Sequence, residues 1–317
     1  MKRISLVGLA AFCCLVGGLA AERKARIASA AAKTGDAGGK AKIPSWAKVS
    51  KEQLAEAKKL GVPVAFANAL GVKFVLVPAG EFMMGSGDNE VGRYKEEGPQ
   101  RKVKIPKAFY MSIHQTTQGQ WKAAMGTTPW KGKRAARDNP DHAVNHVCWN
   151  DAVAFCAKLS AKDGGSYSLP TEAQWEYACR AGSTTRYCYG DDIGEKNLGD
   201  YAWYHETAMA KGDQRYVHKV GAKKPNAWGI HDMHGNVWEF CMDVAHKNFE
   251  GAPADGSAWL KGGTSKEGEL PSRVLRGGGW RSTHRRVRTA SRYAYPPALP
   301  SYYVGFRITC AVGKKSK

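Results

Sequence analysis

The apolar residues of this chain come in short runs. KFVLVPAGEFMMGS (73–86), RKVKIPKAFYMS (101–112) and RYVHKVGA (215–222) are β-branched and aromatic stretches broken by Gly, Pro or charged residues every few positions. Such runs predict short strands joined by tight turns. Periodic leucine runs are scarce, whereas the 317 residues include 36 glycines, 10 tryptophans, 13 tyrosines and 9 phenylalanines. That pattern speaks against a helical bundle and for a loop-rich body of mixed α+β character. A chain of this length can bury one large core or two ordinary ones, and no internal repeat divides it.

Helices are legible chiefly from their ends. Ser50 and Gln53 are spaced as a capping box, and the helix that follows, EQLAEAKKLG, is expected to stop on Gly61. TQGQWKAAMG (117–126) and WNDAVAFCAKLSAKDG (149–164) read as helices, the second with Ala152, Ala154, Phe155 and Leu159 at helical spacing. In SLPTEAQWEYACRAG (168–182), Pro170 and Thr171 stand where a helix would begin and Glu172 falls in its positive first turn. Trp175, Tyr177 and Ala178 follow as core residues.

The first 21 residues read as an address. Lys2 and Arg3 precede an apolar run from Ile4 to Leu19, with Ala20 and Ala21 as a cleavage site, so a signal peptide and a secreted or periplasmic protein are expected. The run is short for a membrane span of ~20 residues, and the mature chain is expected not to span a membrane. Residues 22–48 carry seven Lys/Arg against two acids among alanines and glycines, the composition of a basic flexible linker. A short helix and lead-in (49–69), a folded domain (70–312) and a basic tail (313–317) complete the expected organisation. The net charge of +20 includes Lys2 and Arg3, so +20 − 2 = +18 remains after cleavage. An exported chain without a nucleic-acid fold signature is not expected to bind nucleic acid. An oxidising compartment leaves six cysteines, 148, 156, 179, 188, 241 and 310, for which fifteen complete pairings exist. Neither HExxH nor CxxC occurs; His142 and His146, four apart, lack an evident third ligand.

Two stretches carry the chemistry. In PNAWGIHDMHGNVWEF (225–240), Glu239 lies between Trp238 and Phe240, and a carboxylate buried there needs either a hard cation or a salt bridge. In RVLRGGGWRSTHRRVRTASRY (273–293), a glycine triplet and a tryptophan are followed by five arginines in twelve residues, with no cysteine or acid. No strand-then-helix phosphate fingerprint surrounds these glycines.

Together FVLVPAGEFMMGS, LPTEAQWEYACRAG, NAWGIHDMHGNVWEF, RVLRGGGW and VGFR (304–307) resemble, in order, the motifs of the formylglycine-generating enzyme (sulfatase-modifying factor) family, over roughly residues 70–312. The resemblance implies a single compact domain, a C-type-lectin-like variant poor in regular secondary structure. It also implies structural calcium held by Asp232 and Glu239 side chains and by the Gly235 and Val237 carbonyls, with Asp232 standing where a family member usually has Asn. The family oxidises a sulfatase cysteine with oxygen and copper, using a cysteine pair after the glycine turn. Here no cysteine lies between Trp280 and Thr309, so copper, which wants paired thiolates, is not expected and no catalytic residue is assigned. The resemblance implies a Cys156–Cys310 disulfide; Cys179 would be free, its partner position being Thr289.

The expected function is then a non-catalytic module that binds a protein, a peptide or an anionic glycan through Trp280, Arg281, His284, Arg285, Arg286 and Arg288. Each arginine could equally serve a solvated surface or an internal salt bridge. The alternative is an oxidase that modifies sulfatases through an atypical site.

Overall fold

The computed structural model describes residues 43–209, 215–264 and 270–313. The expected signal peptide, residues 22–42 of the linker and residues 314–317 of the tail lie outside them.

In chain order the elements are α1 (Lys51–Leu60), β1 (Ala65–Ala67), β2 (Lys73–Val77), β3 (Gly80–Met84), β4 (Arg101–Ile105), β5 (Phe109–Ser112), α2 (Gln118–Met125), α3 (Trp149–Asp163), β6 (Tyr167–Ser168), α4 (Glu172–Arg180), α5 (Leu198–Tyr201), α6 (His205–Met209), β7 (Trp238–Val244), β8 (Arg273–Arg276), β9 (Arg292–Tyr295), β10 (Val304–Gly305) and β11 (Thr309–Ala311). The strands form a five-stranded sheet in the order β1-β2-β5-β11-β6, a four-stranded sheet β10-β7-β8-β9 and the hairpin β3-β4. This is the mixed α+β architecture that the short apolar runs predict. RYVHKVGA is the exception: it forms no strand, only the isolated bridge of Lys219 to His142.

The helix ends follow the cap chemistry. Ser50 with Gln53, Thr117 with Gln120 and Thr171 with Gln174 each close a reciprocal capping box. Gly61 ends α1 in the left-handed region at φ 62°. Gln53 does more than cap, because its buried amide donates to Leu76 O at 2.8 Å and to Trp228 O at 3.3 Å, tying α1 to β2 and to the 225–240 loop. Trp46 and Ala47, at the end of the stretch read as linker, also pack on the core.

That core joins both sheets to the helices. Phe74, Leu76 and Met111 come from the first sheet, Phe155 from α3, Trp175 from α4, Phe240 from β7 and Phe306 from the β10–β11 link; all are almost fully buried. The interface of α4 with β7 and β8 brings the two chemically distinctive stretches together: β7 leads out of the 225–240 loop, and β8 leads into the glycine turn.

Candidate ligand-binding cleft and a buried ring of oxygens

After β8 the chain turns through Gly277 (φ 90°) and Gly278 (φ 74°). A Cβ on Gly278 would stand 2.5 Å from Val287 Cγ1 and 2.8 Å from Arg286 O, so only glycine lets the following segment fold back this closely. Trp280 N donates to Asn236 O at 2.8 Å and Gly279 N to Ser282 Oγ at 3.0 Å, which fixes the start of that segment against the 225–240 loop.

Beneath the turn runs a ladder of buried ion pairs. Arg276 pairs with Glu176 and Arg292 with Glu172, the latter at 2.6–2.7 Å; Arg180 grips Glu176 at 2.7 Å. Arg288 holds Glu97 through both terminal nitrogens and reaches Glu90 at 2.5 Å. Arg276, Arg288, Glu97 and Glu176 are wholly buried. Burial pushes the Glu176 carboxyl up, but the adjacent Arg180 and Arg276 outweigh it and hold the group below the usual carboxylate range.

Above the ladder opens a cleft of about 260 Å³ lined by Trp238, Arg281, Ser282, Arg286, Tyr293 and Tyr303. Its aromatic wall is set by the strands: Trp238 starts β7, Tyr293 lies on β9, and the two rings are 5.7 Å apart. Arg286 stacks on Tyr94 at 3.7 Å and approaches Tyr293 at 5.6 Å; among the described residues its carboxylate partner is Glu96, at 3.4 Å. Arg281, exposed, lies over Tyr302 at 5.5 Å and donates to its hydroxyl. Two guanidinium groups beside aromatic faces can take an anionic group together with an apolar or ring-shaped body.

The six residues read as ligand-binding therefore divide. Arg281 and Arg286 line the cleft. Arg288 does not, because its charge is spent on Glu97 and Glu90 in the interior. Trp280 is buried in a small cluster with Ala143, Val217 and Val237 and serves as packing. His284 and Arg285 are directed to other loops, His284 toward Glu195 at 3.7 Å and Arg285 over Tyr94 and toward Gly92 O. The cleft also recruits Trp238, Tyr293 and Tyr303, brought together from two strands and a turn with no local signal in the sequence.

The residues read as calcium ligands do converge, but on a nitrogen. Asp232 O, Gly235 O, Val237 O and Glu239 Oε1 lie 3.3, 3.1, 3.1 and 2.8 Å from Gln115 Nε2. Asp232 contributes its carbonyl there rather than its carboxylate, which accepts from Gly221 N at 2.7 Å and which burial pushes up to about 6. Glu239 is fully buried and takes the salt bridge: Arg307 holds both its oxygens at 2.6 and 2.8 Å, and Trp175 Nε1 donates at 2.7 Å. Of the two partners open to Glu239, the structure thus supplies an arginine, from the VGFR motif.

The six described thiols are all free, and all but the half-buried Cys188 are buried. Cys156 and Cys310 are both free, so the Cys156–Cys310 disulfide implied by the resemblance is not formed; each packs as a small buried apolar residue. Cys179 is free and fully buried, 4.0 Å from His234 Nε2. That nitrogen already accepts from Cys188 N at 3.1 Å, while Nδ1 meets Val287 O at 2.8 Å, so the imidazole has no lone pair to spare. Burial pushes the Cys179 thiol up to about 12 and Cys188 well above its ordinary value. His142 stacks on Tyr216 and His146 meets Arg134 O at 2.8 Å; among the described residues no group of three or more His, Cys, Asp or Glu could hold a metal ion. Nor, among them, is any helix long and apolar enough to cross a membrane.

A mixed α+β body in which a glycine turn and a 225–240 loop pack around a buried carboxylate and floor an aromatic cleft defines a recognisable class. Residues 62–312 match the sulfatase-modifying factor enzyme 1-like domain, and the chain belongs to that family. It is 29% identical over 293 residues to the formylglycine-generating enzyme of Bos taurus, covering 74% of either chain. It is 30% identical over 190 residues to the inactive C-alpha-formylglycine-generating enzyme 2 of the same organism, covering 56% of this chain and 53% of that one. Among solved structures, PvdO from Pseudomonas aeruginosa is 32% identical with a TM-score of 0.69, over 78% of this chain and 98% of that one. Treponema denticola variable protein 1 is 27% identical with a TM-score of 0.62, over 79% and 100%.

Proposed function

We propose that this is an exported, non-catalytic member of the family whose cleft binds an anionic glycan. The observation that carries the reading is the pairing of Arg281 and Arg286 on an aromatic wall, in a segment after the glycine turn that holds no cysteine. Guanidinium groups bind sulfate or carboxylate through paired N–H donors, and aromatic faces suit the apolar face of a sugar ring. A relative in Bos taurus is named as an inactive C-alpha-formylglycine-generating enzyme 2, which supports a reading without the oxidase reaction. Export rests on the N-terminal sequence and the location is secreted or periplasmic.

The test is binding of a sulfated hexasaccharide and of its desulfated counterpart to the purified mature chain. The sulfated form is expected to bind, more weakly as salt rises, and Arg286→Ala is expected to reduce affinity about tenfold while moving Tm by no more than a few degrees. Equal binding of both saccharides, or binding of neither, would refute the glycan reading; preference for an acidic peptide would move it to a protein partner. Conversion of a cysteine peptide to an aldehyde by the same preparation would restore the family's oxidase reading, with sulfatases as the partners.

A further inference from the structure

We infer that the side-chain amide of Gln115 takes the place of a calcium ion in the 232–239 loop, so that the chain itself closes the ring of oxygens and the loop needs no metal. Several oxygens pointing at one centre is the arrangement a hard cation asks for. Here the centre is Gln115 Nε2, with three backbone carbonyls and Glu239 Oε1 within 3.3 Å. Gln115, Asn236 and Glu239 are almost fully buried, so solvent does not compete for these contacts.

Which end of the amide faces the ring is decided by its neighbours. Asn236 is locked by the backbone of His218, whose N–H donates to Asn236 Oδ1 at 2.8 Å and whose carbonyl accepts from Nδ2 at 3.2 Å. The donor end of Asn236 therefore also faces Gln115, whose Oε1 accepts from it at 2.9 Å. The nitrogen of Gln115 is the end left for the ring. A flipped Gln115 would set N–H against N–H on one side and oxygen against four oxygens on the other.

The charges lead to the same conclusion. A divalent ion bound among carbonyls relies on carboxylates for charge, and the ring contains one, Glu239, already held at both oxygens by Arg307. The Asp232 carboxylate is engaged through Oδ2 by Gly221 N, and among the described residues its buried Oδ1 has no hydrogen-bond partner; neither oxygen accepts from Gln115 Nε2, which takes the Asp232 carbonyl instead. At the centre itself a cation would meet three neutral carbonyls and one carboxylate oxygen whose charge is already met by a guanidinium. An amide nitrogen has two hydrogens for four acceptors, so the ring keeps a cation's geometry while lacking its charge.

The experiment compares the purified mature chain with Gln115→Glu, which puts a carboxylate at the same centre. Calcium content is read by plasma mass spectrometry after equilibration with calcium, and thermal unfolding is followed in calcium and in EDTA. The wild type is expected to retain no stoichiometric calcium and to melt at one temperature in both. Gln115→Glu is expected to take up stoichiometric calcium and to gain about 5–10 °C from it at saturation. Stoichiometric calcium on the wild type, or a wild-type Tm that rises with calcium, would overturn the inference, and so would a folded Gln115→Glu chain that takes up none. Should that variant not fold, the wild-type content and melting decide alone.

Discussion

Arg288→Met and Arg286→Ala alter two arginines two positions apart, and opposite outcomes are expected. Arg288 is wholly buried between Glu97, also wholly buried, and Glu90, whose side chain is 14% exposed. Met fills similar space but takes from two facing carboxylates the guanidinium that pairs them, leaving Glu97, among the described residues, the Ser86 hydroxyl at 2.9 Å. Removing one partner of a buried pair costs about 3–5 kcal/mol. A body of this size loses about 2–4 °C per kcal/mol, so Tm should fall by roughly 6–20 °C. Arg286 is 27% exposed and its Glu96 partner 36%, so that pair contributes about 0–1 kcal/mol and Arg286→Ala should move Tm by only a few degrees. Calorimetry of both variants, with saccharide affinity measured on the same samples, reads the contrast: Arg288→Met melts early, and Arg286→Ala melts normally but binds poorly. The double variant Arg288→Met/Glu97→Gln, which removes both charges of the pair, should recover about 1–3 kcal/mol of the loss. An Arg288→Met chain that melts within about 2 °C of wild type yet fails to bind would refute the division between strut and ligand arginine.

Two further outcomes follow from the interior. Burial, with the Glu172 carboxylate beside it, pushes Asp243 up to about 7, although the backbone N–H groups of Trp259 and Glu172 and the nearby Arg292 favour its ionised form. A carboxyl whose folded pKa is raised stabilises most at acid pH, and its contribution is lost as pH rises from about 4 through 7; Cys241 and Arg273, which also face it, stay un-ionised and charged across that window. Denaturant midpoints from pH 4 to 8 should show this loss in the wild type and a flatter profile in Asp243→Asn; parallel profiles would remove Asp243 as the cause. In denaturant without reductant, thiol titration should find Cys156 and Cys310 reactive, whereas a disulfide-linked peptide joining them on mass spectrometry would contradict the free pair.

How much was legible in advance depended on the range of the interaction. Caps are local, and Ser50, Thr117 and Thr171 announce their helices within three residues. The glycine turn was legible as a turn because only glycine tolerates its backbone. Glu239 was legible as a group needing a partner, but whether that partner was a cation or an arginine was not, since Arg307 lies 68 residues away. Arg288 read as a ligand contact because an arginine in a basic run looks like surface, and the carboxylate that claims it, Glu97, is 191 residues distant. Gln115 gave no signal: a lone glutamine after a strand says nothing until folding brings the 232–239 carbonyls around it.

The arginine excess itself has a structural cause in this kind of fold. Where helices and strands are short, many buried carbonyls have no ladder partner and must find another donor. A guanidinium group carries five N–H donors in a fixed fork and can serve several carbonyls while its charge is met by a carboxylate. Arg276 donates to the carbonyls of Thr289, Ala290 and Ser291, Arg292 to those of Glu96 and His246, and Arg307 to those of Ser112 and His231. These side chains perform for irregular loops what backbone ladders perform for sheets, and each is met by a buried glutamate: Arg276 by Glu176, which Arg180 shares, Arg292 by Glu172 and Arg307 by Glu239. Their charge is therefore closed within the fold and cannot attract a partner. The field at the cleft comes instead from Arg281 and Arg286, held at its rim by Tyr302, Tyr94 and Glu96. Replacing those two is therefore expected to weaken binding of an anionic ligand while leaving the ion pairs of Arg276, Arg292 and Arg307 in place.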